Sequence, residues 1–317
     1  MELRSPLILL LLLGIGLGFS IPLPVEVVSA VSLLFLALVA FESVVRIKLH
    51  ALDTMSLRML KWVVVFTVFK LLAFSFAGQL LGLPVQDAVL LATLLLSVGG
   101  SHPFLALEST WASPLATLLP FVVLSFRDPA VPGAFLDQFL ALALRMVTSI
   151  GVGIFGGVLL LSAMHRIRNT FHALASVIAA VIVFIVTTLF GGFGLIGVAA
   201  LGLFIGNTGI KKTLSLEGPV LDVVGVIGVI VLGMSVTLPR TQEFIVLALA
   251  LLAISVVIRL LALAKVGKDI LPLALAPRGL PMVAVLLALA PVAPQVVALG
   301  TALLVGYDVL ALVGKHL

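Results

Sequence analysis

Ser101, His102, Glu108 and Ser113 stand close together in a chain that has little else to offer chemically. A carboxylate whose pKa is raised by desolvation binds either a proton or a cation, but not both at once. Glu108 is the leading candidate for that role; the competing use is to cap the start of the following helix in water. His102 titrates near neutrality and can carry a proton, but has no charged oxygen for an alkali cation. Its alternative is a structural hydrogen bond to backbone carbonyls freed nearby. Ser101 and Ser113, with Thr93 and Ser97, offer neutral oxygens that suit sodium or potassium weakly. The commoner use of such hydroxyls is a bond back to their own helix.

Charges of the opposite sign accompany them. Arg278 lies in Ala276-Pro-Arg-Gly-Leu-Pro281, inside an apolar stretch, and Lys70 lies deep in Trp62-Val-Val-Val-Phe-Thr-Val-Phe-Lys70. Ionisable groups at membrane depth are costly and mark functional sites. Arg278 is expected to act electrostatically at a helix break, where half-helix C-termini are negative ends. Lys70 is a candidate partner for a carboxylate, although its long stem could also snorkel. Glu42 and Asp222 either face an ion path or sit at an interface near the membrane surface. Asp308 is expected to be interior, with Arg259 or Arg278 as its partner. Arg145 lies inside a long helix with no evident partner.

The elements that must position these groups follow from composition. The 317 residues are 62% hydrophobic and 10% charged, with mean hydropathy +1.39. This excludes a soluble domain and predicts an all-α polytopic membrane protein. There are no cysteines, so disulfide and thiol chemistry are excluded. A pI near 9.9 reads as basic loops facing anionic lipid, with no nucleic-acid partner. The apolar runs predict twelve helices near 5–21, 24–45, 58–82, 86–107, 110–126, 134–162, 171–190, 193–207, 218–238, 242–263, 270–290 and 294–313. With the N-terminus inside, twelve Lys or Arg fall in inner segments and only Arg127 and Arg240 in outer ones. Both termini are therefore expected to be cytoplasmic, in a multi-pass protein of the cell membrane.

Two of the helices are broken. Pro removes a backbone N–H and clashes with the preceding turn. Pro277 and Pro281 interrupt the eleventh helix; Val98-Gly-Gly-Ser-His-Pro103 interrupts the fourth. Irregular backbone at membrane depth is tolerated only where protein covers it or it lines a cavity. Helix one carries Gly14-Ile-Gly-Leu-Gly18, and helix eight carries Gly202-Leu-Phe-Ile-Gly206. An offset of seven helices is odd, so matched helices run in opposite directions, as in an inverted repeat with two crossing broken helices. The chain then reads as one transporter domain over 1–317: a first repeat over 1–126 lacking one helix, a linker helix over 134–162 and a second repeat over 171–313.

Several segments resemble sodium/proton exchangers of the monovalent cation/proton antiporter superfamily. Phe193-Gly-Leu-Ile-Gly-Val-Ala-Ala-Leu-Gly-Leu-Phe-Ile-Gly-Asn207 is similar to their glycine-rich helix ending in Gly-Asn. Ala274-Leu-Ala-Pro-Arg-Gly-Leu-Pro-Met-Val-Ala284 is similar to their arginine-bearing broken helix. Ala40-Phe-Glu-Ser-Val-Val-Arg46, Leu80-Leu-Gly-Leu-Pro-Val-Gln-Asp-Ala88 and Val257-Ile-Arg-Leu-Leu261 resemble further segments, in order along the chain. The resemblance implies a mobile core of helices three to five and ten to twelve, and a dimer scaffold of helices one, two and seven to nine. The departures are also definite. Ser101-His102-Pro103 stands where the family carries Thr-Asp-Pro, and Ala112-Ser113 where it carries an acidic pair.

The expectation is a secondary antiporter exchanging sodium or potassium for protons by alternating access, in a homodimer within the lipid bilayer. The alternatives are a same-fold transporter of another solute, such as an organic anion, or a degenerate membrane subunit without transport. Nothing supports an enzyme. There is no phosphate-binding glycine loop with lysine and no His-x-x-x-His pair, so no cofactor is expected, and no metal beyond a transported alkali cation.

Overall fold

The computed structural model describes residues 4–20, 23–45, 47, 54–97, 103–125, 135–167, 171–208, 219–239, 241–263 and 280–313. These form twelve α-helices and, among the described residues, no strand. They are α1 (Arg4–Ser20), α2 (Val25–Val45), α3 (Thr54–Leu80), α4 (Val85–Leu94), α5 (Pro103–Ser125), α6 (Phe135–Met164), α7 (His172–Leu189), α8 (Gly194–Asn207), α9 (Pro219–Ser235), α10 (Gln242–Leu263), α11 (Leu280–Leu289) and α12 (Pro294–Val313). Within α2, α6, α7, α10 and α12 lie runs long and apolar enough to cross a membrane, and the shorter helices are apolar as well. Outward faces carry large apolar side chains, among them Leu9, Phe76, Val147, Leu189 and Leu249, each more than half exposed. Helices apolar all round belong in lipid, which satisfies those faces. The protein is a multi-pass helical membrane protein.

Small residues set the closest approaches. On α1, a Cβ at Gly14 or Gly18 would collide with the α9 backbone at Ile230 or Met234. On α8, a Cβ at Gly202 or Gly206 would collide with the α2 backbone at Phe41 or Val45. The second contact is the first with the two halves of the chain exchanged. Further pairs match in the same way: α3 packs on α5 as α10 packs on α12, and α4 on α12 as α5 on α11. Between the halves, α3 meets α10, α2 meets α9 and α4 meets α11. In lipid there is little hydrophobic drive between helices, so backbone proximity and its van der Waals contact do that work.

Tight turns hold the short helices in place. Gly82 takes φ +85° after α3, and the Leu83 N–H donates to Gly78 O at 3.0 Å, closing the helix end and turning the chain into α4. Gly191, at φ +74°, does the same after α7 and delivers Phe193 to the start of α8.

The first break differs from the sequence expectation. Helix four does not run to residue 107: α4 stops at Leu94, and α5 starts at Pro103 rather than near 110. Pro is favoured in the first helical turn, where its missing N–H has no partner to lose. Pro103 therefore opens a helix where the sequence reading had it breaking one. Glu108 consequently lies in the second turn of α5, not ahead of it, which removes the helix-capping alternative.

Gly206→Val is expected to lower unfolding stability by about 1–3 kcal/mol, because the new side chain meets backbone that cannot swing aside. Gly16→Val, where a Cβ meets open space, is expected to stay within about 0.5 kcal/mol. Thermal unfolding of the two variants in one detergent checks both.

Candidate functional site

Two ten-residue helices, α4 and α11, occupy the centre. At about 1.5 Å per residue each spans roughly half of a bilayer core. Every side chain from Leu90 to Ser97 and from Met282 to Leu287 is buried. α4 is enclosed by α3, α5 and α12, and α11 by α2, α5, α9 and α12. Gly300 of α12 marks where they meet: a Cβ there would press on Leu286 of α11 and touch Leu94 of α4.

This centre is furnished with neutral oxygens. Thr301, beside Gly300, is fully buried, and its hydroxyl has no hydrogen-bond partner among the described residues. Thr93 is buried on α4 and donates to Leu90 O at 2.7 Å. Ser97 is fully buried just beyond the end of α4. On α5, Ser113 is buried, and Thr117 donates to its carbonyl at 2.8 Å. Pro114 and Pro120 lie inside the same helix. Each withholds the amide that an unbroken helix would offer four residues back, so the carbonyls of Thr110 and Ala116 lose their usual donor. Neutral hydroxyl and carbonyl oxygens of this kind are ligands that an alkali cation accepts.

Four Asp, Glu, Lys or Arg side chains with described positions are buried: Glu42 on α2, Lys70 on α3, Arg259 on α10 and Asp308 on α12. None of the four is without a partner. The Lys70 ammonium stands 4.5 Å from the centroid of the Phe66 ring. Ser255 and Tyr307 share a hydrogen bond of 2.7 Å that ties α10 to α12. Arg259 follows Ser255 by one helical turn, and Asp308 adjoins Tyr307. The displacement along the chain that carries Phe41 onto Ile230 also carries Lys70 onto Arg259. Each half thus buries one cation on the helix that packs against its counterpart.

Of the residues singled out by sequence, Ser113, Lys70 and Glu42 are buried as described. Glu108 and Asp222 fall on α5 and α9, with their side chains outside the described residues. Ser101, His102 and Arg278 lie outside them altogether. Register places position 108 one turn before Ala112, which is fully buried. Arg145 is exposed on α6. Thr117, Thr301, Pro114 and Pro120 were not anticipated. The run Ala112-Ser-Pro-Leu-Ala-Thr-Leu-Leu-Pro120 carries the signal for three of them, two prolines within one apolar helix.

A solved structure of the sodium proton antiporter MjNhaP1 from Methanocaldococcus jannaschii at pH 8 superposes with a TM-score of 0.68, at 17% identity, over 97% of this chain and 91% of that one. An electron-microscopy map of the same antiporter gives 0.64 at 16% identity, over 97% and 87%. The chain shares the fold of this antiporter. These structural neighbours are transporters. No family model and no curated protein matches the sequence.

Thr301→Val replaces an orphaned buried hydroxyl by an apolar group of the same shape. It is expected to raise stability by about 1 kcal/mol. Tyr307→Phe removes the hydrogen bond between α12 and α10, while the Ser255 hydroxyl still donates to Leu252 O at 2.8 Å, and is expected to lower stability by about 1 kcal/mol. Thermal unfolding reads both signs.

Proposed function

We propose that the protein belongs to the monovalent cation/proton antiporter superfamily and exchanges sodium or potassium for protons by alternating access. One observation carries the reading: two half-length helices meet in a buried centre, within a fold shared over 97% of the chain with a sodium proton antiporter. A membrane protein has no structural need to interrupt helices at such depth, and interrupted helices crossing between two halves are the usual site of ion binding in secondary transporters. The reciprocal packing of α1 on α9 and α8 on α2 supports an inverted repeat, with the first half ending near 126, a linker at α6 and the second half from α7. An inverted repeat gives one site two mirror-related exits.

Glu108 is the exchanging group in this reading. It lies on α5, one turn from the position where the resembling family carries its acidic pair. Deprotonated, it holds the cation together with Ser113 and the released carbonyls; protonated, it lets the cation go. Competition for one carboxylate makes the exchange obligatory, because the empty charged form is costly to move through a low-dielectric barrier. Ser101 and His102 belong to the same break, and Arg278 stands at the other, compensating the carboxylate when the site is empty. Lys70 and Glu42 support the field of the core, and Asp222 lies on the partner helix of the scaffold. The protein acts as a homodimer in the cell membrane, with both termini cytoplasmic.

The test is reconstitution into liposomes carrying an internal pH dye, with pulses of sodium, potassium or lithium. Wild type is expected to move protons in response to at least one cation, and Glu108→Gln to lose more than nine-tenths of that response while remaining folded. Folded wild type that answers none of the three cations overturns antiport. A full response from Glu108→Gln overturns the assignment of the exchanging group.

A further inference from the structure

An apolar crevice of about 120 Å³ opens between α2, α5, α7 and α8. All the residues that line it are apolar, among them Leu33 and Leu36 of α2, Leu118 and Phe121 of α5, Phe184 of α7 and Phe193 before α8. Leu33 is 43% exposed, so the crevice is open on the outer surface of the bundle. It is smaller than a drug-sized pocket and has no polar group to orient a polar solute, so it suits a short length of hydrocarbon chain.

A charge stands at its edge. Arg145 is exposed on α6, between Leu144 and Val147, whose side chains are 62% and 68% exposed. Its guanidinium carbon lies 5.9 Å from the centroid of the Phe193 ring, which lines the crevice. Ser149, one turn along α6, accepts the Phe193 N–H at 2.7 Å and so fixes that ring's backbone against α6. Among the described residues Arg145 has no carboxylate partner. Stacking uses one face of a guanidinium and leaves its N–H fork open to an oxyanion. An arginine on a lipid-facing surface is stabilised most simply by a lipid headgroup.

We propose that the crevice and Arg145 form one binding site for an anionic phospholipid. The phosphate is held by the Arg145 fork and one acyl chain enters past Phe193 between α5 and the group formed by α2, α7 and α8. Charge complementarity selects the headgroup, and the wholly apolar lining selects the chain. The site stands on this geometry and not on the antiport reading. If that reading holds, the chain sits where α5 must slide against its neighbours, so occupancy sets how readily it moves.

The experiment measures thermal unfolding of delipidated protein in a neutral detergent, with dioleoyl phosphatidylglycerol, dioleoyl phosphatidylcholine or glycerol phosphate added. Phosphatidylglycerol is expected to raise the midpoint several degrees more than phosphatidylcholine, and glycerol phosphate to leave it unchanged. Arg145→Gln is expected to erase the difference between the two lipids. Leu33→Trp, which fills the crevice from its open side, is expected to reduce the shift from phosphatidylglycerol by at least half. Equal shifts for the two lipids in wild type, a preserved difference in Arg145→Gln, or a shift of the same size from glycerol phosphate each overturn the proposal. Native mass spectrometry of wild type gives an answer that needs no variant: higher occupancy by phosphatidylglycerol than by phosphatidylcholine supports the site, and equal occupancy overturns it. Transport is not read in any arm, so failure here is separate from failure of antiport.

Discussion

Every backbone N–H and C=O inside a bilayer must find its partner within the protein, and the architecture follows from that demand. A complete helix satisfies it alone. An interrupted one cannot, and has to be surrounded. The two half-length helices α4 and α11 are accordingly enclosed over much of their length, with Leu90–Ser97 and Met282–Leu287 buried throughout. Full-length helices around them take the lipid contact. Burial is thus assigned by hydrogen-bond need as much as by hydrophobicity, since nearly every face here is apolar.

The same demand explains the chemistry of the centre. Thr93 and Thr117 return their hydroxyls to their own helices, which costs the structure nothing. Thr301 does not, and the prolines of α5 release carbonyls that the helix would otherwise have used. Among the described residues two carboxylates, Glu42 and Asp308, and two of the Lys and Arg cations, Lys70 and Arg259, are buried. Buried charges of opposite sign lower the cost of each other where they pair.

Much of this was legible in the sequence, and the reasons differ by element. Long apolar runs located α2, α6, α7, α10 and α12 because lipid thickness sets their length. The paired Gly14/Gly18 and Gly202/Gly206 were visible as similar helix ends, and their reciprocal seating on α9 and α2 follows from the same steric rule. Pro103 misled, because a proline ends a helix or begins one and only the preceding residues' path decides which. The correspondence of Lys70 with Arg259 was hidden, since the two residues differ and their flanking sequences share little. Thr301 gave no signal at all: a lone threonine in an apolar helix is ordinary until its hydroxyl is seen to lack a partner.

Contacts made by glycine bring two backbones together with no side chain between them. Such a joint has no cushion. A packed leucine can change rotamer to absorb a displacement, but a carbonyl resting on a glycine Cα can only stay or separate. The α1–α9, α2–α8 and α6–α8 joints are therefore stiff members of the bundle, and strain applied to one helix passes to its partner with little loss. Compliance is confined to seams filled by side chains or left partly empty, such as the crevice beside α5. The stiffness of the whole is set by where glycine was placed, and its freedom by where it was not.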